Sequence, residues 1–428
     1  MVVDGYYIEG TYSLDGEISV QGAKNAVLPI LAATIINGGR NILHNCPKLR
    51  DVEKTVDVIR ALGCRVVHLG NTIIVDSSTM DEIVIEESLM RQMRSSIIFL
   101  GAIIARCGEA VVSMPGGCEI GMRPIDLHLK GLRELGVNIT EENGYIICRA
   151  DSLKGAKVHL DFPSVGATEN IMLAAVKAKG STVITNAARE PEIVDLQRFL
   201  CRMGANVKGA GTSTICIEGG ETLYGIDYTI MPDRIAAGTY LACCGTTGGK
   251  INLKNVNSQD MISIIDLLER MGAKIKYTKN NIYMSSPKRL KSPGTIRTMP
   301  YPGFPTDMQS PFLAMACTAS GATVVVETIF ENRFRNAEEL LRMGADVRVD
   351  GKSCVVIGVK RLHGASVCAG ELRGGASLVV AGLGAEGITQ VSNIGYIDRG
   401  YEDFDKNLSA CGAHIVRRAQ IDNICNVL

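Results

Sequence analysis

Two kinds of helical segment recur along the chain and differ in how apolar and polar residues are distributed. The first kind is apolar on almost every side and rich in Ala, Gly and Cys, which predicts helices buried on nearly all faces. Each is followed by a Gly and a β-branched run such as Thr182-Val183-Ile184, which predicts a strand. These apolar segments are residues 26–37, 95–107, 167–178, 235–247, 308–320 and 375–386.

The second kind of helix is amphipathic and ends in a recurring phrase. A Leu, Met or Cys is followed by Gly and a small or apolar residue, and then by a β-branched run. The glycine can adopt a positive φ just beyond the helix, so the chain leaves the helix as a strand. The phrase occurs at Gly63, Gly136, Gly204, Gly272, Gly344 and Gly412.

These glycines are separated by about 70 residues, which indicates one supersecondary repeat used six times. Each repeat is predicted to run strand, buried helix, strand, exposed amphipathic helix, strand. A chain of 428 residues is usually more than one domain, and six repeats divide naturally into three plus three. We therefore predict an α/β fold with two domains, each built from three repeats around buried helices.

The domain boundaries follow from the order of the elements. A strand at residues 14–21 precedes the first buried helix, whereas the last repeat ends in a strand near Ile415-Val416. We expect the first strand to complete the far half of the molecule. The predicted domains are residues 23–232, which carry Cys118, and residues 1–22 completed by 233–428, which carry Asp307 and Arg399.

Composition narrows the function classes. Lys plus Arg and Asp plus Glu number 45 each, so the overall field favours neither nucleic acid nor membrane, and any anion binding must be local. No apolar run is long enough for a membrane span and no secretory signal is evident. Fourteen cysteines without a CxxC pair are typical of reduced core residues in a cytoplasmic protein, and structural zinc is not expected.

Charged and polar residues gather in the turns that precede the buried helices. If these helices run parallel within each half, their N-termini meet at one end and form an anion site. For any single turn, helix capping is the alternative explanation. Lys24, Arg94 and Arg373 exceed what capping requires. The turns are Lys24-Asn25, residues 91–96, residues 164–169, Asp233-Arg234, Thr306-Asp307 and residues 373–375.

One irregular loop, residues 114–128, interrupts the repeat and contains three glycines and two prolines. Cys118 lies in it near Arg123, so its thiol is a candidate acid or nucleophile. An idle loop cysteine is an equal alternative, and the neighbouring Glu119 disfavours the thiolate.

Several long motifs resemble the UDP-N-acetylglucosamine 1-carboxyvinyltransferase family, from about residue 5 to the C-terminus. The resemblance implies an inside-out α/β fold of the enolpyruvyl transferase type, and enolpyruvyl transfer in peptidoglycan precursor synthesis. Besides the Cys118 loop, the motifs are Gly22-Ala23-Lys24-Asn25-Ala26, Ser164-Val165-Gly166-Ala167-Thr168, Asn186-Ala187-Ala188-Arg189-Glu190-Pro191, Phe304-Pro305-Thr306-Asp307-Met308-Gln309 and Ile397-Asp398-Arg399-Gly400-Tyr401-Glu402.

The same resemblance implies roles for individual residues. Cys118 would protonate C3 of phosphoenolpyruvate and can form an adduct with it, while Asp307 would take the proton of the sugar 3′-hydroxyl. Lys24, Arg123 and Arg399 would bind phosphoenolpyruvate, with Arg373 nearby; Lys24 and Arg399 also count among the catalytic residues. The implied contacts to the UDP-sugar are Asn25, Arg94, Arg123, Pro124, Ile125, Asp126, Leu127, Ser164, Val165, Gly166, Asp307 and Ile329, with Arg333 lining the same cleft.

No metal or organic cofactor is expected, and a monomer or weak oligomer is expected. Sugar-nucleotide binding is expected to draw the halves together under the Cys118 loop. Glu119, Met122, Phe162 and Glu371 depart from the family pattern, which permits a divergent paralogue with an altered rate.

The residues leave several alternatives open. Arg333 could pair with Glu331, and Asp307 could cap its helix. A 5-enolpyruvylshikimate-3-phosphate synthase would transfer the same group to another hydroxyl. A ring of six repeats around DNA would need basic helices, which this sequence lacks.

Overall fold

The computed structural model describes residues 2–114 and 125–421. The chain folds into two compact parts. We call residues 22–114 with 125–231 the inserted half, and residues 2–21 with 232–421 the outer half. Independent folding of residues 23–232 stays a prediction, which limited proteolysis tests.

The first part of the chain, to the end of the inserted half, contains β1 (Val2–Glu9), β2 (Asp15–Ser19), α1 (Lys24–Ala33), β3 (Arg40–His44), α2 (Arg50–Ala61), β4 (Arg65–Leu69), β5 (Thr72–Asp76), β6 (Val84–Ile85), α3 (Glu87–Gln92), the 3₁₀ helix η1 (Arg94–Ile98), α4 (Phe99–Cys107), β7 (Glu109–Ser113), α5 (Asp126–Glu134), β8 (Asn138–Glu142), β9 (Tyr145–Arg149), β10 (Lys157–His159), α6 (Val165–Ala175), β11 (Gly180–Thr185), α7 (Pro191–Arg202), β12 (Asn206–Lys208), β13 (Thr214–Gly219) and β14 (Asp227–Thr229).

The rest of the chain contains α8 (Arg234–Thr247), β15 (Lys250–Lys254), η2 (Ser258–Met261), α9 (Ile262–Arg270), β16 (Lys274–Tyr277), β17 (Asn281–Ser285), β18 (Thr295–Arg297), η3 (Thr306–Met308), α10 (Gln309–Ala316), β19 (Ala322–Val326), α11 (Ala337–Arg342), β20 (Asp346–Asp350), β21 (Ser353–Ile357), β22 (Ser366–Cys368), α12 (Leu372–Leu383), β23 (Ile388–Ser392), η4 (Ile394–Arg399), α13 (Phe404–Ala410) and β24 (His414–Ile421).

Six four-stranded sheets form, and in five of them two parallel strands are joined by an antiparallel hairpin. In the sixth, β22 and β23 are parallel, and β1 pairs antiparallel with β23 and β24. The sequence analysis predicted only one strand after each amphipathic helix; this was wrong for five repeats and correct for the sixth, where only β24 follows α13. A short turn such as Gly70-Asn71, with Gly70 at φ 65°, divides the run into two strands. The six glycines predicted to end amphipathic helices all have positive φ, from 84° to 108°.

Strands that are distant in the sequence complete three of the sheets. β2 pairs in parallel with β15 of the outer half, and β14 pairs in parallel with β3 of the inserted half. β1, which the sequence analysis did not predict, lies between β23 and β24 and supplies the strand that the sixth repeat lacks.

The helices divide into buried and amphipathic sets as the apolar pattern predicted. Every residue of α8 from Arg234 to Gly245 is buried, and α8, α10 and α12 pack against one another in the outer half. In the inserted half α4 packs on α1 and on α6. Each half has its own hydrophobic core. Within the described residues, no helix is both long and apolar enough to cross a membrane.

Candidate active site

In the outer half, Asp307 lies between two buried arginines. Its Oδ1 accepts a hydrogen bond from Nη2 of Arg333 at 2.5 Å, and its Oδ2 accepts from Nη2 and Nε of Arg373 at 3.0 and 3.3 Å. Both arginine side chains are 2% exposed, whereas that of Asp307 is 26% exposed. The carboxylate therefore faces solvent while its two cations are held in the protein.

Arg373 is fixed from several directions. Glu371 caps α12 by accepting hydrogen bonds from the backbone N–H groups of Arg373 and Gly374. The Arg373 guanidinium lies 5.3 Å from the ring centroid of Tyr401, whose hydroxyl is 2.9 Å from Oγ1 of Thr239 on α8. Burial disfavours the charge, but Tyr401, Asp307 and Asp233 raise the pKa of Arg373 above its ordinary value. The arginine remains charged.

The same cluster contains unused hydrogen-bond donors. Nε of Arg333 and Nη1 of Arg373 are buried and have no hydrogen-bond partner among the described residues. Asp307 pairs with both guanidinium groups, and the charge of Asp233 also acts on Arg373. A buried charge with unfilled donors is costly unless a ligand satisfies it, so this arrangement favours an anion.

The structure resolves two alternatives left by the sequence. Arg333 pairs with Asp307 and not with Glu331. Pro305 occupies the N-cap of η3, and Met308 occupies the N-cap of α10. Asp307 therefore belongs to the charged cluster and occupies neither of these N-cap positions.

Glu327, which the sequence analysis missed, connects Asp307 to Ile329. Its Oε2 accepts from the hydroxyl of Thr306 at 2.9 Å, and its Oε1 accepts from the backbone N–H of Ile329 at 2.7 Å. Glu327 is buried. It thus holds the segment of Asp307 beside that of Ile329, a contact that no local sequence pattern encodes.

Arg399 is the last residue of η4. The preceding Asp398 accepts hydrogen bonds from Nη1 and Nη2 of Arg417 on β24, both at 3.0 Å. Arg417 also donates to Oδ2 of Asp4 on β1 at 2.8 Å. This network ties η4 to the edge of the sixth sheet and fixes the backbone that carries Arg399.

In the inserted half, Lys24 and Asn25 begin α1. Nζ of Lys24 lies 3.2 Å from Oδ2 of Asp51, in the first turn of α2, and both side chains are largely buried. Asp51 was missed by the sequence analysis, because it lies outside the turns before the buried helices. It fixes the ammonium group near the start of α1.

The other predicted residues of this half lie on two further helix starts. Ile125 and Asp126 begin α5, with Leu127 in its first turn. Ser164 caps α6 by accepting from the N–H of Ala167 at 3.3 Å, and Val165 and Gly166 form the first turn of α6. Capping and ligand binding are compatible here, because the Ser164 side chain satisfies only one of the N–H groups that lack an intrahelical partner at a helix start.

A buried carboxylate lies one turn further along α6. Glu169 is almost fully buried, and burial, followed by the charges of Glu192 and Glu190, raises its pKa well above the ordinary value. A neutral acid at this depth avoids the cost of a buried charge. The charge of Glu190, in the motif of residues 186–191, thus influences the pKa of Glu169 on α6.

Cys118, Arg123 and Pro124 lie outside the described residues, as do Glu119 and Met122. The backbone of Arg94 begins η1. The described residues contain no group of three or more His, Cys, Asp or Glu side chains able to hold a metal ion.

Comparison with known proteins gives the class to which this scaffold belongs. The family model of EPSP synthase (3-phosphoshikimate 1-carboxyvinyltransferase) matches residues 8–408. The chain belongs to this family of carboxyvinyl transferases and is an enzyme. The family resemblance inferred from its motifs, and the fold predicted from its repeats, are confirmed.

Curated relatives point to one branch of that family. The chain is 51% identical over 412 residues to UDP-N-acetylglucosamine 1-carboxyvinyltransferase 2 of Caldanaerobacter subterraneus subsp. tengcongensis, covering 96% of this chain and 99% of the relative. It is 47% identical over 415 residues to UDP-N-acetylglucosamine 1-carboxyvinyltransferase 1 of Carboxydothermus hydrogenoformans, covering 97% and 98%.

Solved structures share the fold. The enolpyruvyl transferase NikO from Streptomyces tendae matches with a TM-score of 0.89 and 24% identity, covering 98% of this chain and 100% of that chain. An EPSP synthase from Acinetobacter baumannii matches with a TM-score of 0.74 and 20% identity, covering 97% and 100%. At these identities the matches establish the fold alone.

Proposed function

We propose that this enzyme transfers the enolpyruvyl group of phosphoenolpyruvate to the 3′-hydroxyl of UDP-N-acetylglucosamine and releases phosphate. This reaction is the first committed step of peptidoglycan precursor synthesis. The observation that carries the proposal is the 51% identity to a relative of that name over nearly the whole of both chains. The family model alone leaves the acceptor open, since its description names a shikimate enzyme.

The reaction requires addition followed by elimination. The sugar oxygen bonds to C2 of phosphoenolpyruvate and gives up its proton, while C3 gains a proton. The tetrahedral ketal then loses a proton from C3, and the C2–O bond to phosphate breaks to give the enol ether. In our proposal Cys118 supplies the proton to C3, and Asp307 accepts the proton of the hydroxyl.

The charged cluster supports the role of Asp307. Both of its oxygens accept hydrogen bonds from guanidinium groups, which orients the carboxylate but makes it a weak base. An anionic substrate that engages Arg333 and Arg373 would draw these cations away from the carboxylate. Substrate binding would then raise the basicity of Asp307 at the moment when it must accept a proton.

The remaining predicted residues complete the proposal. Lys24, Arg123 and Arg399 bind phosphoenolpyruvate, with Arg373 beside them, and offset charge on the departing phosphate. Asn25, Arg94, residues 123–127, residues 164–166, Asp307 and Ile329 bind the sugar nucleotide, and Arg333 lines the site. The reaction needs no metal or organic cofactor, because phosphate is already a good leaving group.

We also propose a cytoplasmic location. The twelve described cysteines are free thiols, and eight of them are buried, which is typical of a reducing compartment. Cell fractionation tests this location, and recovery of the protein outside the cytoplasm would contradict it.

Phosphate release tests the function. The purified enzyme is incubated with phosphoenolpyruvate and either UDP-N-acetylglucosamine or shikimate 3-phosphate. We expect phosphate release when the acceptor is UDP-N-acetylglucosamine, and none when it is shikimate 3-phosphate. Release with shikimate 3-phosphate would instead support the shikimate enzyme, and release with neither acceptor would refute both.

A further inference from the structure

Asn170 occupies a junction that neither the motifs nor the mechanism explains. It is fully buried in the second turn of α6. Its Oδ1 accepts a hydrogen bond from the backbone N–H of Gly101 on α4 at 2.5 Å, and its Nδ2 donates to the carbonyl of Ile97 on η1 at 3.0 Å. A third contact, at 3.0 Å, joins Nδ2 to Nδ1 of His128 on α5.

The first two bonds place the amide in a break between two helices. In an uninterrupted α-helix the N–H of residue 101 would bond to the carbonyl of residue 97. Here η1 ends at Ile98 and α4 begins at Phe99, and the Asn170 side chain contacts both groups of that helical pair. Gly101 is required for this approach, because a methyl group there would lie 2.4 Å from Oδ1 of Asn170.

These contacts also fix the protonation of His128. The oxygen of the Asn170 amide faces an N–H, and its nitrogen faces a carbonyl, so the orientation of the amide is determined. The remaining N–H of Nδ2 then donates to Nδ1 of His128, and the neutral ring carries its proton on Nε2. That side of the ring faces the start of α6: a methyl group on Gly166 would lie 3.0 Å from Cε1 and 3.3 Å from Nε2.

The three elements that meet at Asn170 carry the proposed sugar-nucleotide contacts. η1 begins at Arg94, α5 begins at Asp126, and α6 begins with Val165 and Gly166. Apart from Asn25, all the described residues proposed for the sugar nucleotide in the inserted half lie on these elements or immediately before them. A single buried amide therefore links all three surfaces.

We propose that Asn170 is a positioning residue for sugar-nucleotide binding: its amide holds η1, α5 and α6 in the register that the sugar nucleotide requires. This inference rests on the proposed function. Asn170 does not touch the reacting atoms. Its loss misaligns the binding elements and leaves the charged cluster of the outer half unaltered.

The test compares Asn170→Leu and Asn170→Asp with matched variants of Asn41. Leu removes every hydrogen bond at similar volume, whereas Asp keeps the acceptor for Gly101 and loses both donors. Asn41 is also fully buried in the inserted half, accepts from the N–H of Ile226 at 3.2 Å and donates to the carbonyl of Thr34 at 3.2 Å. It lies beyond the C-terminal end of α1, away from the helix starts.

Steady-state phosphate release is measured while each substrate is varied. We expect both Asn170 variants to raise the KM for UDP-N-acetylglucosamine about tenfold or more, because the three elements that carry its contacts lose their common anchor. The KM for phosphoenolpyruvate and kcat should stay within about threefold of the parent values, since the loss affects binding of one substrate only. The Asn41 variants should lose thermal stability without a change in either KM.

Other outcomes separate this inference from the proposed function. An active parent enzyme whose Asn170 variants keep the parental KM, raise both KM values equally, or only lose folded protein would overturn the positioning role and leave the function standing. A parent enzyme inactive with the sugar nucleotide would overturn both. If the Asn170 variants do not fold, His128→Leu removes the third contact and leaves the bonds of Asn170 to Ile97 and Gly101 in place; an unchanged KM for UDP-N-acetylglucosamine in that variant also overturns the inference.

Discussion

The two halves repeat one fold but place different chemistry at the starts of their buried helices. In the outer half, Asp307 lies between Arg333 and Arg373, and two guanidinium donors remain unfilled within the described structure. In the inserted half, the second turn of the buried helix α6 holds the neutral amide of Asn170. The same fold can therefore carry a charged cluster suited to proton transfer or a neutral amide that positions binding elements. The side chains near the starts of the buried helices make the difference.

Buried carboxylates show the same contrast. Asp307 has two cationic partners, whereas Asp195 on α7 accepts from the neutral hydroxyl of Tyr228 at 2.7 Å and from the N–H of Met231 at 3.2 Å. Burial raises the pKa of Asp195 to about 6, although the Tyr228 hydrogen bond opposes the shift. The carboxylate of the outer half is thus paired with two cations, while that of the inserted half accepts hydrogen bonds from neutral groups and has a raised pKa.

The largest effect is expected from Asp307→Asn. The amide cannot accept the hydroxyl proton and loses the attraction of Arg333 and Arg373, so kcat should fall about 10²- to 10⁴-fold. Phosphate release measures the loss, and Asp350→Asn on the exposed end of β20 is the control. A decrease of less than about tenfold would assign proton removal to another group.

A pH-dependent stability difference is expected from Asp195→Asn. The folded pKa of about 6 lies above the usual value near 3.9, so this group's stabilising contribution is complete below about pH 4 and is lost as the pH rises through 6. The free energy of unfolding of the variant, relative to the parent, should increase by about 2 kcal/mol between pH 4 and pH 7.

Urea denaturation at a series of pH values measures this difference, with the exposed Asp151→Asn as control. A relative stability of Asp195→Asn that does not change with pH would show that Asp195 titrates normally. The contrast between the carboxylates of the two halves would then disappear.

Arg373→Lys should lower kcat/KM about tenfold, and Arg333→Lys should lower it less. Arg373 donates through both Nε and Nη2 and lies against Tyr401, and a lysine ammonium reproduces neither geometry. Steady-state kinetics with varied phosphoenolpyruvate measures both variants. An equal loss in the two variants would show that charge alone matters in this cluster.

The smallest effect is expected from the Lys24–Asp51 pair of the inserted half. A double-mutant cycle with Lys24→Met and Asp51→Asn should give a coupling energy of about 1 kcal/mol in unfolding, because the pair is largely buried yet close to the surface. The double variant should recover stability but not activity. If the double variant recovered activity, the proposed role of Lys24 in binding phosphoenolpyruvate would be wrong.

Sequence periodicity predicted the repeated fold because each repeat has its own local signals. Gly204 and Gly272 end amphipathic helices with positive φ, as their phrase requires. β1 and the second strand of each hairpin were missed, because short strands joined by tight turns have no distinctive pattern. β1 in addition pairs with strands near the far end of the chain.

The sequence predicted candidate site residues only where they lie in a turn that precedes a buried helix. Asp307 and Arg373 stand at helix starts, which the apolar pattern locates. Their pairing, and the contacts of Glu327 and Asn170, arise from elements distant in the chain that approach in the folded state. A single sequence without an aligned relative carries no signal for such contacts.

The identity of the product tests the proposed reaction most directly. Mass spectrometry of UDP-N-acetylglucosamine incubated with phosphoenolpyruvate and the enzyme should show a carboxyvinyl ether of the sugar, with one phosphate released for each ether formed, and Asp307→Asn should suppress both together. Phosphate release without any change in the sugar nucleotide, or full ether formation by Asp307→Asn, would contradict it.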